Sequence, residues 1–261
     1  MSTPAPMRIV ERNLAIFRRI WLSNMLASFL QPMLYLLAMG LGVGALINRN
    51  SGSAQLLDGL PYIAFVAPGL LATTTMMVSS VESLWPVFDG VVWGRQYEAM
   101  SATPLRSSDI AVAHALWMMI RTGIGAMTVA LAMTLFADVR SWGLVPAVPV
   151  AMLGGVAFGM PFAAWAITRR QEISFPVIQR FVIVPLFLFG GAFFPVSQLP
   201  LGLRLVAYST PLWHGVELCR SLISGTSMSP LAAFGHVAYL VAWGVVGGVL
   251  MARFARRRLF A

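Results

Sequence analysis

Six stretches of this chain stay apolar over the length needed to cross a lipid bilayer, and nothing else in the sequence restricts the fold as much. A helix rises 1.5 Å per residue, so about 20 apolar residues span a hydrocarbon core roughly 30 Å thick. The stretches are 26–47, 62–81, 111–136, 144–167, 175–189 and 231–254. With no water in the bilayer core, every backbone N–H and C=O must find a partner within the protein, which makes such stretches helices. The fifth is interrupted by Pro176, Arg180 and Pro185. It then runs into Gly190-Gly191-Ala192-Phe193-Phe194-Pro195, which reads as a bend. Composition agrees: 58% of the residues are hydrophobic and 10% charged, against about 25% charged in soluble domains. An ordinary soluble enzyme is excluded. The expectation is an all-α polytopic membrane protein, one transmembrane domain over residues 1–261.

All 18 basic residues are Arg and none is Lys. A P-loop needs its Lys on the β and γ phosphates, so this polypeptide supplies no P-loop ATPase of its own. The Arg residues also orient the chain, because cytoplasmic flanks retain positive charge. With both termini cytoplasmic, 13 of the 18 fall on inner flanks, four (Arg49, Arg140, Arg204 and Arg220) fall outside, and Arg121 lies within the third span. Basic residues scattered over membrane flanks form no single patch, which argues against nucleic acid as a partner. Cys219 stands alone, so no internal disulfide forms.

Outside the spans, three segments carry candidate function. In 7–21, Val10, Leu14, Phe17 and Trp21 share one helical face while Arg8, Arg12, Arg18 and Arg19 take the other. That pattern suits an amphipathic helix in the membrane interface, serving as an anchor or as a contact for a cytoplasmic partner. It reads as a structured helix and not as a cleavable signal peptide. The loop 82–110 contains a short polar helix candidate stopped by Pro104, with Ser107-Ser108-Asp109 offering an N-cap for the third span. It is either a solvated turn or an element that transmits motion from a soluble partner. The segment 190–230 is long, apolar and rich in Gly and Pro, and irregular backbone at membrane depth requires cover by protein or a water-filled cavity. There His214, Glu217 and Arg220 follow at three-residue spacing along one helical face. A Glu217–Arg220 pair is expected, as a local structural pair or as part of a polar collar near a transport path. Arg121 must face protein, water or a partner, since Arg at a helix centre costs about 2.5–3.5 kcal/mol. It is equally readable as functional or as half of a buried pair. His114 and His236 read as structural, and neither has metal-ligand spacing to another His, Cys or carboxylate.

The residues Phe65-Val66-Ala67-Pro68-Gly69-Leu70-Leu71-Ala72, Ala102-Thr103-Pro104-Leu105, Gly191-Ala192-Phe193-Phe194-Pro195 with Leu199-Pro200, and Pro211-Leu212-Trp213-His214 with Arg220 occur in this order. In that order they resemble the membrane subunit of ABC-2 type exporters, in the nodulation-factor (lipo-oligosaccharide) and daunorubicin-resistance permease branch. The resemblance runs from about residue 8 to the C-terminus. It implies a permease of the bacterial plasma membrane that exports an amphiphile such as a drug, lipid or glycolipid. No cofactor is implied on this chain; ATP and Mg are used by a partner nucleotide-binding ATPase subunit. A second permease copy, identical or related, would complete the path. The resemblance makes 7–21 a connecting helix and 95–105 a coupling helix, with Arg95, Gln96, Tyr97, Glu98, Thr103 and Pro104 engaging the ATPase. It makes 190–230 an outer re-entrant hairpin, with Phe193, Phe194, Pro195, Pro211, His214, Glu217 and Arg220 near the exit.

Two other classes compete. An ion-gradient-driven secondary transporter predicts inverted repeats with broken helices at the midplane, and no convincing repeat joins the halves. An intramembrane hydrolase needs a nucleophile–base or paired-carboxylate site in the spans, whereas Asp58, Asp89, Asp109 and Asp138 read as loop residues.

Overall fold

The computed structural model describes residues 4–49, 57 and 59–260; Asp58 lies outside the described residues. Among the described residues nine principal helices order the chain and no strand occurs. They are α1 (Ala5–Leu36), α2 (Tyr62–Phe88), α3 (Gln96–Ser101), α4 (Ser107–Met133), α5 (Leu144–Ala166), α6 (Ser174–Phe189), α7 (Leu201–Tyr208), α8 (Pro211–Ser224) and α9 (Pro230–Leu259). Five helical stretches are long and apolar enough to cross a membrane: Phe29–Ile47, Tyr62–Trp93, Ser107–Met133, Leu144–Ala166 and Pro230–Leu259. The expected fifth span is the shorter α6. Its 16 residues reach about 24 Å, less than the roughly 30 Å core, and its middle turn, Gln179–Ile183, widens to a π-helix.

At three points the structure departs from the expected boundaries. The interfacial helix and the first span are one continuous helix, α1, prolonged through a π-helical turn (Leu37–Val43) to Ile47. No Gly or Pro falls between Trp21 and Leu26 to break it. The second span runs on past residue 81 to Trp93, because Ser83, Leu84, Val87, Phe88 and Val91 extend its buried face. Glu82 and Asp89 are therefore helical and not loop residues. Arg106, not Ser107-Ser108-Asp109, precedes α4 as its N-cap, and the Asp109 carboxylate accepts the Arg106 backbone N–H at 2.8 Å.

Helix α2 is the centre of the bundle. In its apolar window 83% of residues are buried within the chain, against 18% for the end of α1 and 17% for α9. It packs on α4, α5 and α8, while α9 closes on α5 and α4 and α1 lies along α4. Small residues permit this proximity, as in membrane bundles generally. A Cβ on Gly247 of α9 would stand 2.6 Å from the Pro161 nitrogen of α5, and one on Gly69 of α2 would stand 2.5 Å from Ala192 Cα. Thr73, Thr75, Ser79, Ser80 and Ser83 of α2 are fully buried, and each hydroxyl donates to a carbonyl three or four residues earlier. The hydroxyl row thus satisfies itself within the helix.

Candidate functional sites at the two ends of the bundle

The short helix α3 is fixed to one end of the bundle by its own first turn. Tyr97 is buried against Gly90, and Gln96 Nε2 donates to Asp89 Oδ2 at 3.3 Å. Burial pushes the Tyr97 phenol up to about 12, with the Arg12 guanidinium pulling in the opposite direction. The hydroxyl therefore stays protonated. Arg95 and Glu98 stand on the other side, 70% and 43% exposed, paired at 2.7 Å. Arg95 adopts φ 49, a left-handed conformation that costs a non-glycine residue roughly 1–2 kcal/mol. Thr103 and Pro104 follow in an exposed turn, with the Thr103 hydroxyl donating to Met100 O. Six sequence-predicted residues thus divide into an anchoring set, Gln96 and Tyr97, and an outward set, Arg95, Glu98, Thr103 and Pro104.

Behind α3, Arg121 has found a partner that the sequence reading missed. Its Nε donates to Glu82 Oε1 at 2.7 Å, with side-chain exposures of only 14% and 12%. Trp117 Nε1 donates to the other Glu82 oxygen at 3.1 Å, and the Arg121 guanidinium also lies 4.5 Å over the Phe17 ring of α1. One buried ion pair therefore joins α2 to α4 and receives α1. The C-terminus of α9 comes to the same end, where Arg258 donates to Ile167 O and Arg169 O, just past the C-terminus of α5. A cation at a helix C-terminus complements its dipole.

At the opposite end, the 190–230 segment folds into two helices, α7 and α8, joined at Ser209-Thr210. Their junction lies well along the length of α9, at its partly exposed surface. The Tyr239 hydroxyl, nine residues or about 14 Å into α9, donates to Ser209 O at 2.6 Å. Leu212 packs on Gly190, and Ala192 lies on Gly69, about 10 Å along α2 from Tyr62. From there α8 rises until Ser224 donates to Ala64 O near the start of α2.

Arg220 is 5% exposed, pairs with Glu217 at 2.7 Å, donates to Gly191 O at 2.7 Å and lies 4.0 Å over the Phe65 ring. The expected pair is present, and Arg220 ties the hairpin to the bend after α6 and to α2. Phe193 O accepts from the Tyr62 hydroxyl, Phe194 packs on Phe189, and Pro211 starts α8. His236, read as structural, has His214 as its partner: their Nδ1 atoms stand 2.7 Å apart, and His214 stacks on Tyr239. Only one hydrogen fits between those nitrogens. The hairpin divides two cavities. An apolar one of about 570 Å³ holds Phe158, Phe162, Trp165 and Trp243, and a more polar one of about 410 Å³ holds Trp213, Glu217, Arg220, Ser227 and Ser229. No group of three metal-ligating side chains occurs among the described residues.

A family model described as ABC-2 type transporter matches residues 7–223. The chain is 31% identical to nodulation protein J of Rhizobium meliloti, covering 95% of this chain and 92% of that protein. It is 29% identical to nodulation protein J of Rhizobium leguminosarum bv. viciae over 95% and 93%. The inner membrane transport permease YadH of Escherichia coli is 22% identical over 88% and 90%.

Proposed function

Because this chain belongs to the ABC-2 type transporter family, and is an ABC transporter permease, we propose that it forms the export path for an amphiphile while a separate subunit hydrolyses ATP. The observation that carries this reading is the position of α3, whose first turn is packed into the end of the α2 core while Arg95 and Glu98 face outward. A force applied to such a helix by a soluble partner is delivered to α2, the most buried helix of the bundle. The absence of Lys, and with it of a P-loop, supports a motor on another polypeptide. ATP and Mg belong to that subunit.

In this reading the chain lies in the bacterial inner membrane with the α3 end and both termini on the cytoplasmic side, and residues 190–230 re-enter from the outside. A second permease copy faces the first. Closure of the ATPase around ATP pushes α3, shifts α2 against its neighbours and opens the hairpin end to release cargo. The amphiphilic cargo class is supported by a hairpin whose two sides offer an apolar and a polar chamber.

The test uses charge. Reversing both members of the outward pair, Arg95→Glu with Glu98→Arg, keeps an ion pair within α3 but inverts the field a partner meets. Loss of ATPase co-purification, or hydrolysis uncoupled from export in a complex that still assembles, is the expected result. Unchanged assembly and export in the swapped variant would remove α3 from the docking role.

A further inference from the structure

A third cavity, about 270 Å³, opens at the α3 end between the first part of α1 and the ends of α2 and α4. Its charges do not cancel locally. Glu82 and Arg121 on its wall neutralise each other at 2.7 Å. Arg12 and Asp89, also on the wall, are joined to no opposite charge among the described residues: Arg12 reaches Asn13 Oδ1 at 3.4 Å, and Asp89 accepts from Gln96 at 3.3 Å. Both hydrogen bonds are at the long limit. Tyr97, whose hydroxyl stays protonated, offers a donor to the same space. His114 is 5% exposed and lines the cavity from α4, and its Nε2 is buried without a hydrogen-bond partner. Native structures rarely leave such an atom unsatisfied.

One cation, one carboxylate and unspent hydrogen-bonding groups in a volume below the roughly 300–1,000 Å³ of drug-sized sites match a small zwitterion. The mouth adds a second requirement. Ile16 and Ile20 line it at 49% and 53% exposure, and Trp21 and Leu22 continue the exposed apolar surface along α1 toward its membrane span. We infer that this cavity holds the headgroup of a bilayer lipid bearing a phosphate and a primary ammonium. Arg12 and Tyr97 take the phosphate, Asp89 takes the ammonium, and the acyl chains lie over Ile16 and Ile20. Charge-assisted contacts of this kind are the strong ones, and the apolar lane distinguishes a lipid from a soluble molecule with the same headgroup. The placement in the cytoplasmic leaflet rests on the proposed orientation; the headgroup preference does not, and it requires neither ATP nor a partner.

The full chain, purified in detergent and stripped of lipid, is titrated with short-chain phosphatidylethanolamine, phosphatidylcholine and phosphatidylglycerol, and with soluble O-phosphoethanolamine. Binding is read by native mass spectrometry and by the shift in thermal unfolding. Phosphatidylethanolamine is expected to bind at least about tenfold more tightly than the others: the quaternary ammonium of phosphatidylcholine has no N–H for Asp89, and phosphatidylglycerol has no cation. Asp89→Asn removes the preference over phosphatidylcholine, and Arg12→Gln weakens both lipids, with Arg12→Lys recovering part of the loss. Equal binding of the three lipids by the unaltered chain would overturn the site, as would a preference that survives both substitutions. Binding of O-phosphoethanolamine as tight as that of the lipid would overturn the bilayer as its source.

Discussion

Arg121 shows what a single residue can and cannot reveal from sequence. Its cost inside a span made a partner necessary, but the partner, Glu82, lay in a segment read as loop. The missing signal was the continuation of the α2 apolar face through Leu84, Val87 and Phe88, which carries Glu82 onto a buried helix. Removing one member of a buried pair costs about 3–5 kcal/mol, whereas replacing both by apolar residues is often neutral. Arg121→Leu is therefore expected to lower the thermal midpoint of the detergent-purified chain sharply, and Arg121→Leu with Glu82→Leu to restore most of it. A double variant as unstable as the single would mean that the charges do more than satisfy each other. Arg95 permits a different separation. Gly adopts φ 49 without penalty, so Arg95→Gly is expected to leave stability level or raise it by up to about 1 kcal/mol while weakening ATPase association. A fall in stability with association intact would reverse the roles given to its backbone and side chain.

Among the elements, long apolar runs were legible and their ends were not. Hydropathy gave the cores of five spans, but it could not show that α1 continues unbroken from the interface or that α2 extends to Trp93, because the first is held by packing on α4 and the second by contacts of Phe88 with Phe175 and of Gly90 with Tyr97. The bend at Gly190 was readable from its residue types, and so was the Glu217–Arg220 spacing. The pairing of His214 with His236 was not, since 22 residues and a helix boundary separate them. That pair clips α8 to α9. A double-mutant cycle with His214→Ala and His236→Ala should give a coupling of about 1 kcal/mol, and additive effects would show the clip to be energetically idle. Close helix packing supplies a second check. Gly247→Ala sets a methyl against α5 backbone and is expected to cost about 1–3 kcal/mol. Gly248→Ala meets nothing nearer than Met160 Cε at 3.8 Å and is expected to be silent. Equal thermal midpoints for the two variants would contradict the α5–α9 contact.

For the whole molecule, the sequence carried the membrane class and the lack of a P-loop Lys, while the grouping of residues at the two ends of the bundle needed three dimensions. Tyr97, Asp89, Arg12 and His114 come from four separate helical segments and meet only when α3 folds under α2. The exposed apolar residues of α1, α6 and α9, among them Leu26, Leu30, Phe181, Val245 and Val249, leave broad faces for lipid and for the second permease copy that the proposed assembly requires. By the proposed function this chain is a path driven by a separate ATPase. Transport by proteoliposomes measures it most directly, comparing the chain reconstituted with its co-purified ATPase and the chain alone under an imposed ion gradient. The account predicts amphiphile movement only with the ATPase and hydrolysable ATP. Movement by the chain alone on the gradient would contradict it.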